Sequence, residues 1–270
     1  SIDFIDNQLL VYAEAFSIIK NENISGDDKE MVKSINNELF WLNQLKHESW
    51  IAPAILFISK YRNSLSKVYE FLMRLNRLAL GLGLHGTYSK DRISRFYSII
   101  KEIESDTILN KGSNLYLSPY EKSSIKSKIV SQKFFNKNQR YSKLLLLKIE
   151  EKENQYNAKH VYSSISVEHV LPQNPYKNSQ WTEDFNLQEQ KELTNQIGNL
   201  VLLSIQKNKK ASNKDFHDKK REYIGKGNTP PFKITQKVLN EKNWKPNNIT
   251  ERTNNMKRIA DEILELGKHY

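Results

Sequence analysis

The stretch Ser166-Val167-Glu168-His169-Val170-Leu171-Pro172-Gln173 decides how this chain reads. Polar and apolar residues alternate up to Glu168, the pattern of a half-buried strand. Pro172, which has no N–H to give to a ladder, ends it. An acid and a histidine therefore fall side by side at a strand end. Thirty positions after His169 lies Asn199, within Ile197-Gly198-Asn199-Leu200-Val201-Leu202-Leu203. Gly198 permits a tight turn, and Leu200 to Leu203 predict a second, buried strand. Nine positions further comes Asn208, in Gln206-Lys207-Asn208-Lys209-Lys210, and the residues from there to Tyr223 predict a helix. Strand, loop, strand and helix thus carry Glu168, His169, Asn199 and Asn208 at their corners.

Outward from this stretch, charge is the next signal. The 270 residues hold 42 Lys and Arg against 31 Asp and Glu, a formal charge of +11, and no cysteine. Two segments carry the whole excess: 117–150 is +6 and 200–230 is +5. A polyanion such as nucleic acid would explain two basic segments on an otherwise neutral chain. Solvated lysine-rich faces would explain them equally well. The lack of cysteine excludes disulfides, Cys-ligated zinc, iron–sulfur clusters and thiol catalysis, and fits a reducing cytoplasm. No apolar run approaches the roughly 18 residues a membrane helix needs, and no signal peptide is evident. A cytoplasmic protein without a membrane partner is expected, and the Ser1 start reads as a piece of a longer protein.

Upstream, residues 1 to about 105 read as helical. Ile35, Leu39, Leu42 and Leu45 share one helix face, as do Val68, Leu72, Leu75, Leu78 and Leu82, and then Phe96, Ile99, Ile100 and Ile103. Asn23–Asp27 is a loop, Pro53 suits a first turn, and Gly81–Gly86 ends a helix. No strand precedes that glycine run and no Lys-Ser or Lys-Thr follows it, so it is not a phosphate loop. Asn110–Asn114 is a polar boundary, Leu144–Leu147 the buried face of a helix reaching Ile149, Glu150–Lys159 a charged connector, and Thr250–Tyr270 a last helix. His47, His85, His160 and His269 have no partner pattern, and His217 reads as a surface histidine. Trp181, Phe185, Phe216, Tyr223 and Trp244 read as core.

Glu168-His169-Val170-Leu171-Pro172, Asn199-Leu200 and Asn208 at its nine-residue step resemble the HNH, or ββα-metal, nuclease motif. With Gln173, Trp181, Ile197-Gly198, Ser212-Asn213, Phe216, Lys219-Lys220, Tyr223, Asn243-Trp244 and Arg252, the stretch from about Ser163 to Arg252 resembles the C-terminal nuclease domain of GmrSD-type, modification-dependent restriction enzymes. Glu168 stands where the wider superfamily more often has Asp. The resemblance implies an α+β, predominantly helical protein, with a helical module at 1–113 and a nuclease domain at 114–270. The ββα core would span about 163–223.

It also implies metal-dependent hydrolysis of DNA, as nicks or breaks, to restrict foreign, modified phage DNA in a prokaryote. His169 would be the general base, since a neutral imidazole can take a proton from water near pH 7. Glu168 and Asn208 would offer oxygens to one Mg²⁺ or Mn²⁺. Asn199, counted with the catalytic set, would hold the loop and the His169 ring. Lys207, Lys210, Lys219 and Lys220 are candidate phosphate contacts or solvated lysines. Arg252 is a DNA contact or a cap on the last helix. A nucleotide-hydrolysing N-terminal domain is the partner such proteins carry. A non-catalytic DNA-binding module of the same fold, and an RNase, are the alternatives.

Overall fold

The computed structural model describes residues 8–136, 138–154, 163–225 and 232–268. His160, His269, the basic Lys137 and Lys226, and the connector beyond Asn154 lie outside these residues. The chain is α+β and predominantly helical, with fourteen α-helices and one two-stranded sheet among the described residues. It forms two compact units: the described residues up to Lys122 with Lys268, and Ser123–Gly267.

The first unit contains α1 (Leu10–Asn21), α2 (Lys29–Asn43), α3 (Ile51–Tyr61), α4 (Leu65–His85) and α5 (Ser89–Glu104). The three apolar stripes read from the sequence are its core; Ile35, Leu39, Leu72, Leu75 and Ile99 are completely buried. Asp28 caps α2 by accepting from the Met31 N–H at 3.0 Å. Phe57 of α3 stacks on Phe71 of α4, ring centroids 4.0 Å apart. The glycine run does not break α4 at Gly81. The helix continues to His85 and ends at Gly86, whose φ of 80° is the left-handed conformation a C-cap uses. His47 packs its ring against Phe96 with neither nitrogen hydrogen-bonded to a described side chain. Burial, then the Arg92 charge, lower its pKa to about 4, and the Ala79 backbone pulls weakly the other way.

A boundary is expected in the polar Asn110–Asn114, whereas the compact units divide at Lys122/Ser123, within α6 (Pro119–Ile129). The intervening residues are held by the helical unit. Leu117 packs on Gly81, the Asn114 N–H meets Glu102, and Arg95 pairs with Glu121 at 2.7 Å. No described helix is long and apolar enough to cross a membrane.

The second unit adds α7 (Lys133–Asn136) and α8 (Gln139–Asn154), then β1 (Ile165–His169), α9 (Gln180–Asp184) and α10 (Leu187–Leu193). A 3-10 turn (Ile197–Asn199) leads into β2 (Leu200–Ser204), followed by α11 (Ile205–Ala211), α12 (Phe216–Ile224), α13 (Lys233–Leu239) and α14 (Pro246–Ile263). β1 and β2 are antiparallel, with Glu168 opposite Val201 and His169 opposite Leu200. Such a ribbon is not stable alone. Its core is completed by Trp181, Phe185, Phe216, Tyr223 and Trp244, all nearly or fully buried. Thr235 Oγ1 closes one edge by accepting from the Leu202 N–H and donating to the Leu202 carbonyl.

Three expectations change here. The helix expected from Asn208 to Tyr223 is two, because Ser212 takes a positive φ of 44° and turns the chain between α11 and α12. Glu150 is not connector but the buried last part of α8. Its carboxylate accepts from the N–H groups of Lys233 and Ile234, capping α13. Gly198 has no positive φ; it is needed because α14 comes so close. A Cβ there would sit 2.3 Å from the Ile249 carbonyl oxygen and 2.2 Å from Thr253 Oγ1.

Candidate active site

β1 delivers Glu168 and His169 to one end of the ribbon, and α11 lies across it and brings in Asn208. The Asn208 amide donates through Nδ2 to the Val167 carbonyl at 2.9 Å and to Ser166 Oγ at 3.0 Å, and its Oδ1 has no partner among the described residues. Glu168, His169, Asn208 and Lys219 line one cleft of about 300 Å³.

The His169 ring is fixed on two sides. Phe135 packs against it in a T-shaped contact, ring centroids 4.7 Å apart and planes at 88°. Its Nε2 lies 3.1 Å from Asn195 Oδ1, which also accepts from Gln173 Nε2 at 3.1 Å. An amide oxygen only accepts, so Nε2 carries the proton and Nδ1 keeps its lone pair. Nδ1 has no partner among the described residues. Burial lowers the His169 pKa to about 4, the Asn195 bond opposes, and the Lys219 charge adds to the lowering. The ring is therefore neutral at pH 7.

The side-chain hydrogen bonds of Asn199 go elsewhere than to this ring: it is fully buried and holds the loop. Its Nδ2 donates to the carbonyls of Leu171 and Thr194, and its Oδ1 accepts from the Leu171 N–H and from Trp244 Nε1, all at 2.8 to 3.0 Å. That network ties the end of β1 to the 3-10 turn and to the segment before α14. Ring orientation falls instead to Asn195, which nothing in the sequence pattern singled out.

The basic candidates separate by what they touch. Lys219 is completely buried: Nζ lies 2.6 Å from Glu168 Oε1 and 2.6 Å from the His169 carbonyl. Tyr223 OH donates to the same Oε1 at 3.0 Å. Burial raises the Glu168 pKa and lowers that of Lys219, while their mutual attraction opposes both shifts. The spacing Phe216, Lys219, Tyr223 sets these three on one helix face. Arg252 donates to the carbonyls of Gly198, Leu200 and Ile234, holding α14 to the 3-10 turn and β2. Lys207 Nζ donates to the Tyr223 and Ile224 carbonyls at the end of α12. Lys220 donates to the Glu241 carbonyl and lies over Phe216. Lys210 is exposed and has no hydrogen-bond partner among the described residues.

A divalent cation is implied by the motif, and the donors suit a hard one. The Lys219 and Tyr223 bonds to Glu168 both fall on Oε1, and the His169 backbone also bonds the carboxylate. Oε2 and Asn208 Oδ1 are both oxygen donors of cleft-lining residues. Among the described residues no group of three or more His, Cys, Asp or Glu gathers to hold a metal. Water and phosphate would have to complete any shell, as Mg²⁺ prefers.

Residues 120–259 match the family described as GmrSD restriction endonucleases, C-terminal domain, and the chain belongs to that family. It therefore contains a restriction-endonuclease-related nuclease domain. The match starts well before Ser163, at residue 120, so α7 and α8 are part of the family's domain and not only a helical pattern ahead of it. No curated protein matches the chain.

Proposed function

We propose that this is a metal-dependent HNH endonuclease that hydrolyses DNA phosphodiester bonds, with Mg²⁺ or Mn²⁺ at one site per chain. The observation that carries the reading is the cleft itself: a neutral His169 with Nδ1 unengaged, beside the oxygens of Glu168 and Asn208. Nδ1 takes the proton of the attacking water. Asn195 keeps the proton on Nε2 and stabilises the imidazolium that forms. Glu168 and Asn208 would hold the cation, which when bound would supply charge neutralisation at the phosphate and the departing 3′ oxygen. The wide, polar cleft admits a backbone phosphate. Lys210, exposed on the helix that carries Asn208, is the phosphate contact the reading keeps from its basic set. In this reading the helical module expected at 1–113 extends to Lys122, and the nuclease domain expected at 114–270 is centred on Ser123–Gly267. The biological role is restriction of modified phage DNA, governed by a nucleotide-hydrolysing domain.

A second reading, a DNA-binding module without turnover, draws on one observation: the Glu168 charge is already met by Lys219. Supercoiled plasmid and RNA, each incubated with Mg²⁺ or Mn²⁺, separate the readings. Nicking of plasmid by wild type and not by His169→Ala is expected. No nicking with any metal favours the binding module, and cleavage of RNA alone makes the protein an RNase.

A further inference from the structure

Among the described residues the cleft lining contains one acid, Glu168, and one amine, Lys219, and its other ionisable side chain is the neutral His169. The acid and the amine are 2.6 Å apart and both are buried. Wherever the shared proton resides, the pair sums to zero charge. A cation approaching Oε2 and Asn208 Oδ1 therefore meets a neutral wall, whereas affinity in oxygen-ligand sites follows the charge of the ligand set. A buried pair of this kind pays desolvation on both partners and is weak evidence for stability, so packing alone does not account for it. The missing negative charge is what a DNA phosphate brings to the same cleft.

Resting on the nuclease reading of the site, we propose that Lys219 is a built-in countercharge that makes divalent-cation binding conditional on DNA. It cancels Glu168 in the free protein, and the scissile phosphate restores the negative charge when substrate is seated. Metal and DNA then bind cooperatively, each strengthening the other by the same factor. Lys219 is a positioning residue here. It also anchors the His169 carbonyl, so it fixes the end of β1 while it sets the charge.

The test counts bound Mn²⁺ by electron paramagnetic resonance in the full chain carrying His169→Ala, so that duplex DNA is not consumed. Mn²⁺ should bind at least tenfold more tightly with a saturating duplex than without it. Adding Lys219→Met should tighten Mn²⁺ binding without DNA at least tenfold and shrink the DNA dependence; a purely structural lysine would do neither. Equal Mn²⁺ affinity with and without DNA overturns the inference and leaves the nuclease reading standing, and this comparison needs no change at Lys219 if Lys219→Met does not fold. Weaker Mn²⁺ binding in a folded Lys219→Met protein also overturns it. No Mn²⁺ binding in any arm overturns both.

Discussion

His47 in the helical unit and His169 in the nuclease unit share their burial, and burial brings both to a pKa of about 4. They differ in what surrounds the ring. Among the described residues no side chain hydrogen-bonds the His47 ring, which faces Phe96 in the helical core. His169 has one nitrogen held by Asn195 and the other left to a cleft lined by an acid, an amide and an amine. A depressed pKa is thus the mark of burial in both cases. Only the ordered partner and the open second nitrogen of His169 suit the base role proposed for it.

The sharpest way to break the comparison is to remove each ring. His169→Ala is expected to reduce plasmid nicking by about 10²–10⁴-fold, the usual share of a general base. His47→Leu should leave nicking unchanged. Equal losses in the two variants would end the distinction. Next in size, Arg252→Ala removes a guanidinium from three carbonyls. It should cost about 3 kcal/mol, read as a lower urea midpoint for the nuclease unit. Lys210→Ala should leave that midpoint alone while weakening DNA binding and lowering its salt slope by about 1. A slope unchanged in Lys210→Ala would remove Lys210 from the interface.

Asn195→Ala should lower the nicking rate by about 10–100-fold, the size of effect seen when a residue that orients a functional histidine is lost. An unchanged rate would mean that Phe135 alone orients the ring. The smallest effect concerns pH. Each histidine has a folded pKa of about 4, below its value of about 6.5 in the unfolded chain. The unfolded chain therefore binds protons first on acidification. Stability is full above about pH 6.5 and falls as pH drops through the folded value, with no further loss from these groups once both states are protonated. His47→Leu should flatten part of that decline in a thermal-melt series. An unaltered pH profile would show that His47 is not held neutral.

Much of the site was legible because it is short-range. The Glu168-His169 step, Pro172 and the nine residues from Asn199 to Asn208 fix a strand, a turn, a strand and a helix by local preference. The helical stripes at Ile35–Leu45 and Val68–Leu82 follow from period alone. The failures came where a side chain answers to a distant segment. Ser212 breaks the expected helix, Glu150 caps a helix 83 residues further on, and the ring of His169 goes to Asn195 and not to Asn199.

The basic residues divide along the same line. The sequence by itself determined an excess of eleven positive charges, its place in two segments, the ββα order, and a family whose members are nucleases. It did not decide where those charges point. Lys219 and Arg252 turn inward, the one to Glu168 and the other to three carbonyls, because burying a charge is tolerable only where such partners lie in reach. Lys210 stays in solvent. Glu168 lies 51 residues from Lys219, and two of the three carbonyls lie 52 and 54 residues from Arg252, so only the folded chain could bring them together.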